Sequence, residues 1–380
     1  MGQHQTAMDY YKKALTMIEE IYGLQKDHVL MAQQLRNLGQ CYNNTKEFIR
    51  AEKLLTKSLA MYKRLYGEQS SHREIAEVLI NIGINHRERN QHQEAQLCYR
   101  QVLSMFEEMD CLDQVIKLNI ASVHCHFGHC YVSQRHFQEA SDSYMNALET
   151  YRQTYSSQRH ENVAIVLLWI GDNLKRQHKY DAASDYYFQS LAMYRQIYEE
   201  MDSPKSLATT LNIHGNKYKS MKMHDKAAEL FMEALDIYRH VYGEDNENVA
   251  LTLTNIGSNL CSKSDNATAE QFYHQALTIY RKLKENDSSH TGVADILNRL
   301  GLNCAEKGEH CLGEQYLNDA LKSYQQAYLN DSNHSDIALV LNNIGYNYNG
   351  MGKHAEASTF LQRSLDMRYV LHGRESNHKQ

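Results

Sequence analysis

Apolar residues recur along this chain in two alternating helical patterns. The first is seen around Gly257, where Ala250, Leu253, Ile256, Gly257 and Leu260 stand three or four positions apart. At about 100° per residue, such positions fall on one apolar stripe of a helix. The second pattern is exemplified by AEKLLTKSLAMYKRLYG, from Ala51 to Gly67, in which a small residue opens an apolar face that ends in Tyr62 and Tyr66. Polar segments such as GEDNEN (243–248) and NDSNHS (330–335) separate the patterns, and their Asn, Asp, Ser and Gly residues favour turns and helix caps. The chain therefore predicts helix, turn, helix, loop, repeated.

The repetition is regular. Glycines stand at Gly39, Gly83, Gly128, Gly171, Gly215, Gly257, Gly301 and Gly345, separated by 42 to 45 residues. Seven positions before each stands alanine: Ala32, Ala76, Ala121, Ala164, Ala208, Ala250, Ala294 and Ala338. Twelve positions after each comes a second small residue, from Ala51 to Ala357, with Gly313 the one substitution. Eight further on, leucine fills the register from Leu59 to Leu365. Small residues at a helix crossing permit close approach, while bulky residues fill the grooves between ridges. The expected fold is all-α, a right-handed α-α superhelix of about eight helix-turn-helix repeats plus a leading unpaired helix. The repeats are read at about 29–71, 72–112, 113–158, 159–203, 204–245, 246–288, 289–332 and 333–370. Residues 1–28 match a second helix alone, with Ala7, Leu15 and Tyr22-Gly23 in register with Ala51, Leu59 and Tyr66-Gly67. The array thus begins mid-repeat, as though an upstream segment covered it, and residues 371–380 read as a polar tail.

A column of Gly followed twelve positions later by Ala, with Leu and aromatic residues between, resembles the tetratricopeptide repeat. The long spacing, the alanine seven before the glycine, and the phrases VALTLTNIGSNL (249–260) and IALVLNNIGYNY (337–348) resemble the repeat array of kinesin light chains and nephrocystin-3-type proteins. The likeness covers almost the whole chain. It implies a solenoid acting as a scaffold or adaptor, with a peptide or partner protein in its groove and kinesin heavy chain or cargo as candidate partners.

A second stripe on the first helix of each pair, at −6, −2, +1 and +5 from the glycine, lies away from the partner helix and would line the groove that solenoids use for extended ligands. Its −2 column reads Asn37, Asn81, His126, Trp169, Ile213, Asn255, Arg299, Asn343, and Asn216, Asn298 and Asn342 stand beside it. Asparagine is a poor helix-interior residue, so its recurrence needs a reason. One reading is a clamp on the main chain of an extended peptide, since each amide offers a donor and an acceptor. The resemblance implies the same use. The other reading is that these amides cap or bridge neighbouring helices. Trp169, near the basic Lys175, Arg176, Lys217 and Lys219, would suit a peptide with a bulky apolar residue flanked by acids; alternatively it packs between adjacent copies.

Composition narrows the remaining classes. One proline in 380 residues leaves helices uninterrupted, and 42% hydrophobic with 23% charged residues suits a folded chain. A net charge of −6 gives no global attraction to nucleic acid, and no apolar run is long enough for membrane insertion. The start is polar and the eight cysteines lack a CxxC pair, which suits a cytoplasmic protein with reduced thiols. The run His124-Cys125-His126-Phe127-Gly128-His129-Cys130 offers two soft ligands per helix face, too few to close a zinc site. His214, replacing an apolar residue before its glycine, reads as a satisfied core histidine. No phosphate loop, HExxH or GxSxG occurs. The expectation is a non-catalytic scaffold without cofactor or metal. A targeting region of a larger enzyme, or self-association through terminal faces, are the alternatives.

Overall fold

The computed structural model describes residues 2–23, 27–68, 70–109, 113–155, 159–284, 291–328 and 334–377. These residues form 17 α-helices and no strand. A leading helix, α1 (Gly2–Tyr22), precedes eight pairs, whose first and second members are called A and B. The A helices are α2 (Val29–Asn44), α4 (Arg73–Glu88), α6 (Gln114–Ser133), α8 (Glu161–Arg176), α10 (Pro204–Ser220), α12 (Glu247–Ser262), α14 (Gly292–Glu306) and α16 (Ser335–Gly350). The B helices are α3 (Phe48–Tyr66), α5 (His92–Glu107), α7 (Phe137–Thr154), α9 (Tyr180–Glu200), α11 (His224–Tyr242), α13 (Asn266–Lys284), α15 (His310–Ala327) and α17 (His354–Asn377). The last of these continues into the segment read as a polar tail. The chain divides into two compact units, Met1–Met193 and Tyr194–Gln380.

Each pair closes on its glycine. A Cβ built on Gly257 would lie 2.6 Å from a ring carbon of Tyr273, sixteen residues on. The same register brings Leu55 onto Gly39, Tyr99 onto Gly83, Tyr144 onto Gly128, Tyr187 onto Gly171, Phe231 onto Gly215, Leu317 onto Gly301 and Leu361 onto Gly345. The small-residue columns seven before and twelve after the glycines are buried throughout. The helices lie close enough for Ser58, Ser190 and Ser364 Oγ to donate to the Ala32, Ala164 and Ala338 carbonyls at 2.6–2.7 Å. The leucine column faces the next pair. It is buried or half-buried from Leu59 to Leu321, but Leu365 on α17 is exposed.

The A-to-B turns share one backbone form. Seven positions after each glycine the chain is left-handed, at Lys46, Asn90, Arg135, His178, Lys222, Ser264, Gly308 and Gly352. The next amide donates back to the carbonyl three after the glycine, as from Glu47 to Tyr42 at 2.8 Å and from Asp265 to Leu260 at 3.0 Å. This is the Schellman closure of an α-helix, which satisfies carbonyls that the helix end leaves orphaned. At the A-helix starts, His28, His160 and His334 accept a backbone N–H through Nδ1, and Asn246 and Asp113 cap through side-chain oxygens. Three preceding tyrosines, Tyr22, Tyr155 and Tyr328, stack on these histidines with ring centroids 3.6–4.0 Å apart.

The glycine contact yields a stability prediction. Gly257→Ala should lower the unfolding free energy by about 1–2 kcal/mol, because overpacking against Tyr273 outweighs the gain of up to about 1 kcal/mol in helix propensity. Urea unfolding measures it, and an unchanged midpoint would contradict the contact.

Candidate functional site

Asparagine is used in two ways, and the structure separates them. A column two positions after the glycines holds Asn85, Asn173, Asn259, Asn303 and Asn347, all buried. Their Nδ2 groups donate to the carbonyls of Phe48, Phe137, His224, Asn266 and His310 at 2.8–2.9 Å. Each acceptor is the first residue of the preceding B helix. These amides tie five of the pairs to the one before. Both columns hold asparagine, and nothing in the sequence distinguishes them except position around the helix.

The −2 column is divided. Asn81 is buried and donates to its own helix at Glu77 O, 2.9 Å away, while its carbonyl receives Asn43 Nδ2. Asn343 Nδ2 donates to Asn298 Oδ1 at 2.8 Å, and Asn255 Nδ2 to Asn212 Oδ1 at 3.3 Å. Asn212 in turn donates to Thr252 Oγ1 at 2.8 Å. Asn298 and Asn343 thus bridge neighbouring A helices through their side chains, whereas the Asn81 side chain turns back onto its own helix. Asn37, Asn216, Asn255 and Asn342 are only half-buried, and Arg176 and Arg299 are exposed. Asn216 Nδ2 donates to Asn212 O at 3.1 Å.

In the first unit rings occupy the stripe around His129. Trp169 is half-buried, meets His129 edge-on at 4.5 Å and lies 6.1 Å from Tyr144, so its indole packs on the preceding pair. The Tyr144 hydroxyl and His129 Nδ1 share a hydrogen bond at 2.8 Å, and Arg87 Nη1 donates to His126 Nδ1 at 2.9 Å. A cavity of about 350 Å³ opens here, lined by Arg87, Glu88, Asn90, His92, His129 and Ser133. Burial, then the Arg87 charge, pushes His126 down to about 3 and His129 down to about 4. Burial raises the Cys125 thiol to about 12 and the Cys130 thiol to about 11. The histidine-cysteine run is thus neutral core, and no group of three or more His, Cys, Asp or Glu side chains able to hold a metal occurs among the described residues. His214 is fully buried and donates from Nδ1 to Thr210 O at 2.9 Å, as a core histidine should. The described cysteines are all free, and Cys111 lies outside the described residues.

In the second unit the same stripe is open. Ile213 is 43% exposed, Leu251 49%, Leu339 43% and Tyr346 54%. All four project from A helices beside the asparagines and Arg299. This is an apolar face with interspersed donors and acceptors, a composition suited to a peptide main chain and its side chains. No helix of the described residues is long and apolar enough to cross a membrane.

The comparisons agree with this architecture. The tetratricopeptide repeat model matches residues 1–64, 30–108, 119–196, 206–282 and 292–369, and the chain belongs to that family. Its fold is similar to the apo quorum sensor NprR from B. thuringiensis, at 15% identity and a TM-score of 0.53, over 96% of this chain and 98% of that one. It is also similar to BtubC (BKLC) from P. vanneervenii, at 19% identity and a TM-score of 0.50, over 62% and 92% of the two chains. Kinesin light chain TPR-like repeats from Podospora anserina match at 11% identity and a TM-score of 0.36, over 69% and 99%. No curated protein matches the chain by sequence.

The neutral histidines set a pH dependence. Both revert toward the ordinary 6.5 on unfolding, so the unfolded chain binds more protons below that pH. Stability is then complete above about pH 6.5 and falls as pH drops toward 4, by at most about 1.4 kcal/mol per pH unit for each histidine. Denaturation at stepped pH should show this fall, and His126→Gln/His129→Asn should flatten it. Equal slopes would contradict the neutral pair.

Proposed function

We propose that the chain is a non-catalytic scaffold or adaptor that holds an extended peptide or partner protein against the exposed stripe of its A helices. The observation that carries this reading is the open face of the second unit, where Ile213 on α10, Leu251 on α12 and Leu339 and Tyr346 on α16 stand exposed. Large apolar side chains repeated along one face incur a solvation cost that a partner would relieve, and solenoids present extended ligands with such faces. Half-buried Asn216, Asn255 and Asn342 supply amides at the margin for a ligand main chain. Asn37, Trp169 and Arg176 are the candidate contacts of the first unit taken by itself. A cargo adaptor of the kinesin-light-chain type is the finer form of this proposal, and a reducing cytoplasm suits the free thiols.

The test is affinity capture with mass spectrometry, comparing wild type with Leu251→Ser/Leu339→Ser/Tyr346→Ser. Because these side chains are exposed, circular dichroism and the melting temperature should be nearly unchanged, while a defined partner set is lost. Each anchor should be worth about 1–2 kcal/mol, so binding should weaken by tenfold or more. Recovery of kinesin heavy chain or cargo would support the finer form. Identical partner sets would exclude this face.

A further inference from the structure

The leading helix α1 is apolar on two faces, and the fold covers one of them. Met8 packs in a cluster with Leu38 and Tyr42 of α2, and Ile18 in another with Met31 and Leu35. The second face carries Tyr10, Ala14, Met17 and Ile21. Tyr10 is 68% exposed, Met17 60% and Ile21 69%. The register of α3 shows what such a face does elsewhere. Its equivalent stripe is Leu54, Ser58, Met61 and Leu65, in which Ser58 and Met61 are buried and the Ser58 hydroxyl donates to the Ala32 carbonyl of α2. In α1 the same stripe faces water, uncovered by any described residue.

Spacing and charge specify what would cover it. The four residues stand four, three and four positions apart, the interval by which one helix meets another along a seam. Lys13 and Glu20, both exposed, lie about 70–90° from the centre of the stripe, on the side away from Tyr11 and Ile18. The other charges, Asp9, Lys12 and Glu19, lie about 110° or more away and off the seam. A second α1 laid antiparallel sets Tyr10 against Ile21 of the second copy and Ala14 against Met17, so that a small residue faces a long one. Two-fold symmetry repeats each contact. The same alignment puts Lys13 opposite Glu20 of the second copy, again twice. A parallel alignment would turn this flank toward the Tyr11 and Ile18 side of the second copy and gain no ion pair.

The charge arrangement is particular to α1. Lys13 and Glu20 correspond to Lys57 and Arg64 of α3, two cations, and none of the later B helices combines Lys or Arg with Asp or Glu at these two positions. We propose that the exposed face of α1 is a self-association surface, on which the α1 helix of a second copy docks antiparallel. It is separate from the stripe of the A helices. The seam from Tyr10 to Ile21 runs about three turns, or about 17 Å, so the contact is small and dilution reverses it.

Sedimentation equilibrium of the full chain over a range of concentrations tests the docking. Wild type should pass from monomer to dimer as its concentration rises. Met17→Glu should weaken the dimer by about tenfold or more, because it buries a charge in the seam. Lys13→Glu and Glu20→Lys should each weaken it by a similar factor at low salt, since either sets like charges opposite each other twice. Circular dichroism and the melting temperature should be unchanged in all three, whose altered positions are exposed. Mixed in equal amounts, Lys13→Glu and Glu20→Lys should recover the dimer, because every facing pair is then opposite in sign. Wild type that stays monomeric overturns the docking, including the case in which the α1 face captures a helix of another protein. A dimer indifferent to Met17→Glu, or charge variants that do not recover on mixing, overturns it as well.

Discussion

The vacancy at the helical glycine is the constraint on which the array depends. Each pair closes only because a ring or leucine sixteen residues on occupies the space where a Cβ would be. That close approach buries the alanine columns and brings serine hydroxyls within reach of backbone carbonyls on the facing helix. It also carries chemistry outward. Where the packed residue is Tyr144, Tyr187 or Tyr273, its hydroxyl passes the glycine and meets a polar group of the A helix, whereas the Tyr99 hydroxyl stays buried without a hydrogen-bond partner. Tyr144 meets His129, Tyr187 donates to Asp172 at 2.7 Å, and Tyr273 lies 3.6 Å from the Cys261 sulfur. The packing device thus decides which polar groups on the outer stripe are already engaged. In the first unit, Tyr144 and Trp169 together occupy the stripe around His129, and the second unit leaves more of its stripe open.

Between pairs, the connection is made by buried amides as well as apolar contact. The asparagine two after the glycine reaches the first carbonyl of the preceding B helix, a group that accepts from within its own helix and has a second lone pair to offer. Buried, such a bond contributes about 1 kcal/mol, and its loss would leave a desolvated carbonyl or amide unmatched. A nearest-neighbour array needs each of its interfaces to hold, so an identical bond at successive junctions matters more than its individual strength suggests. The −2 asparagines of the second unit make a parallel set of bridges, Asn255 to Asn212 and Asn343 to Asn298, leaving less of each amide for any ligand.

The helix pairs were legible because glycine, alanine and leucine columns report packing directly. The turns were not. Lys46, Arg135, His178, Lys222 and Ser264 all adopt the left-handed conformation that glycine normally serves, and no residue type marks them. There the tertiary pairing of A and B imposes the turn, and Asn90, Gly308 and Gly352 match the local preference. The asparagines were legible as unusual, but their direction was not: a residue at −2 and one at +2 lie about 40° apart around the helix, and only the placement of the preceding pair shows that the +2 amide meets a carbonyl. Likewise, the tyrosine and histidine that stack at Tyr155 and His160 are separated by a loop whose path the hydrophobic pattern does not encode.

Charge adds a last distinction between the faces. Arg89, Lys263 and Lys307 occupy equivalent positions six after their glycines, and each reaches an acid on the preceding B helix. Exposed pairs of this kind contribute about 0–1 kcal/mol, too little to hold an array together. Their consistent spacing instead disfavours a slipped register, which would set like charges opposite one another. Charges that complete themselves within the protein serve its stacking.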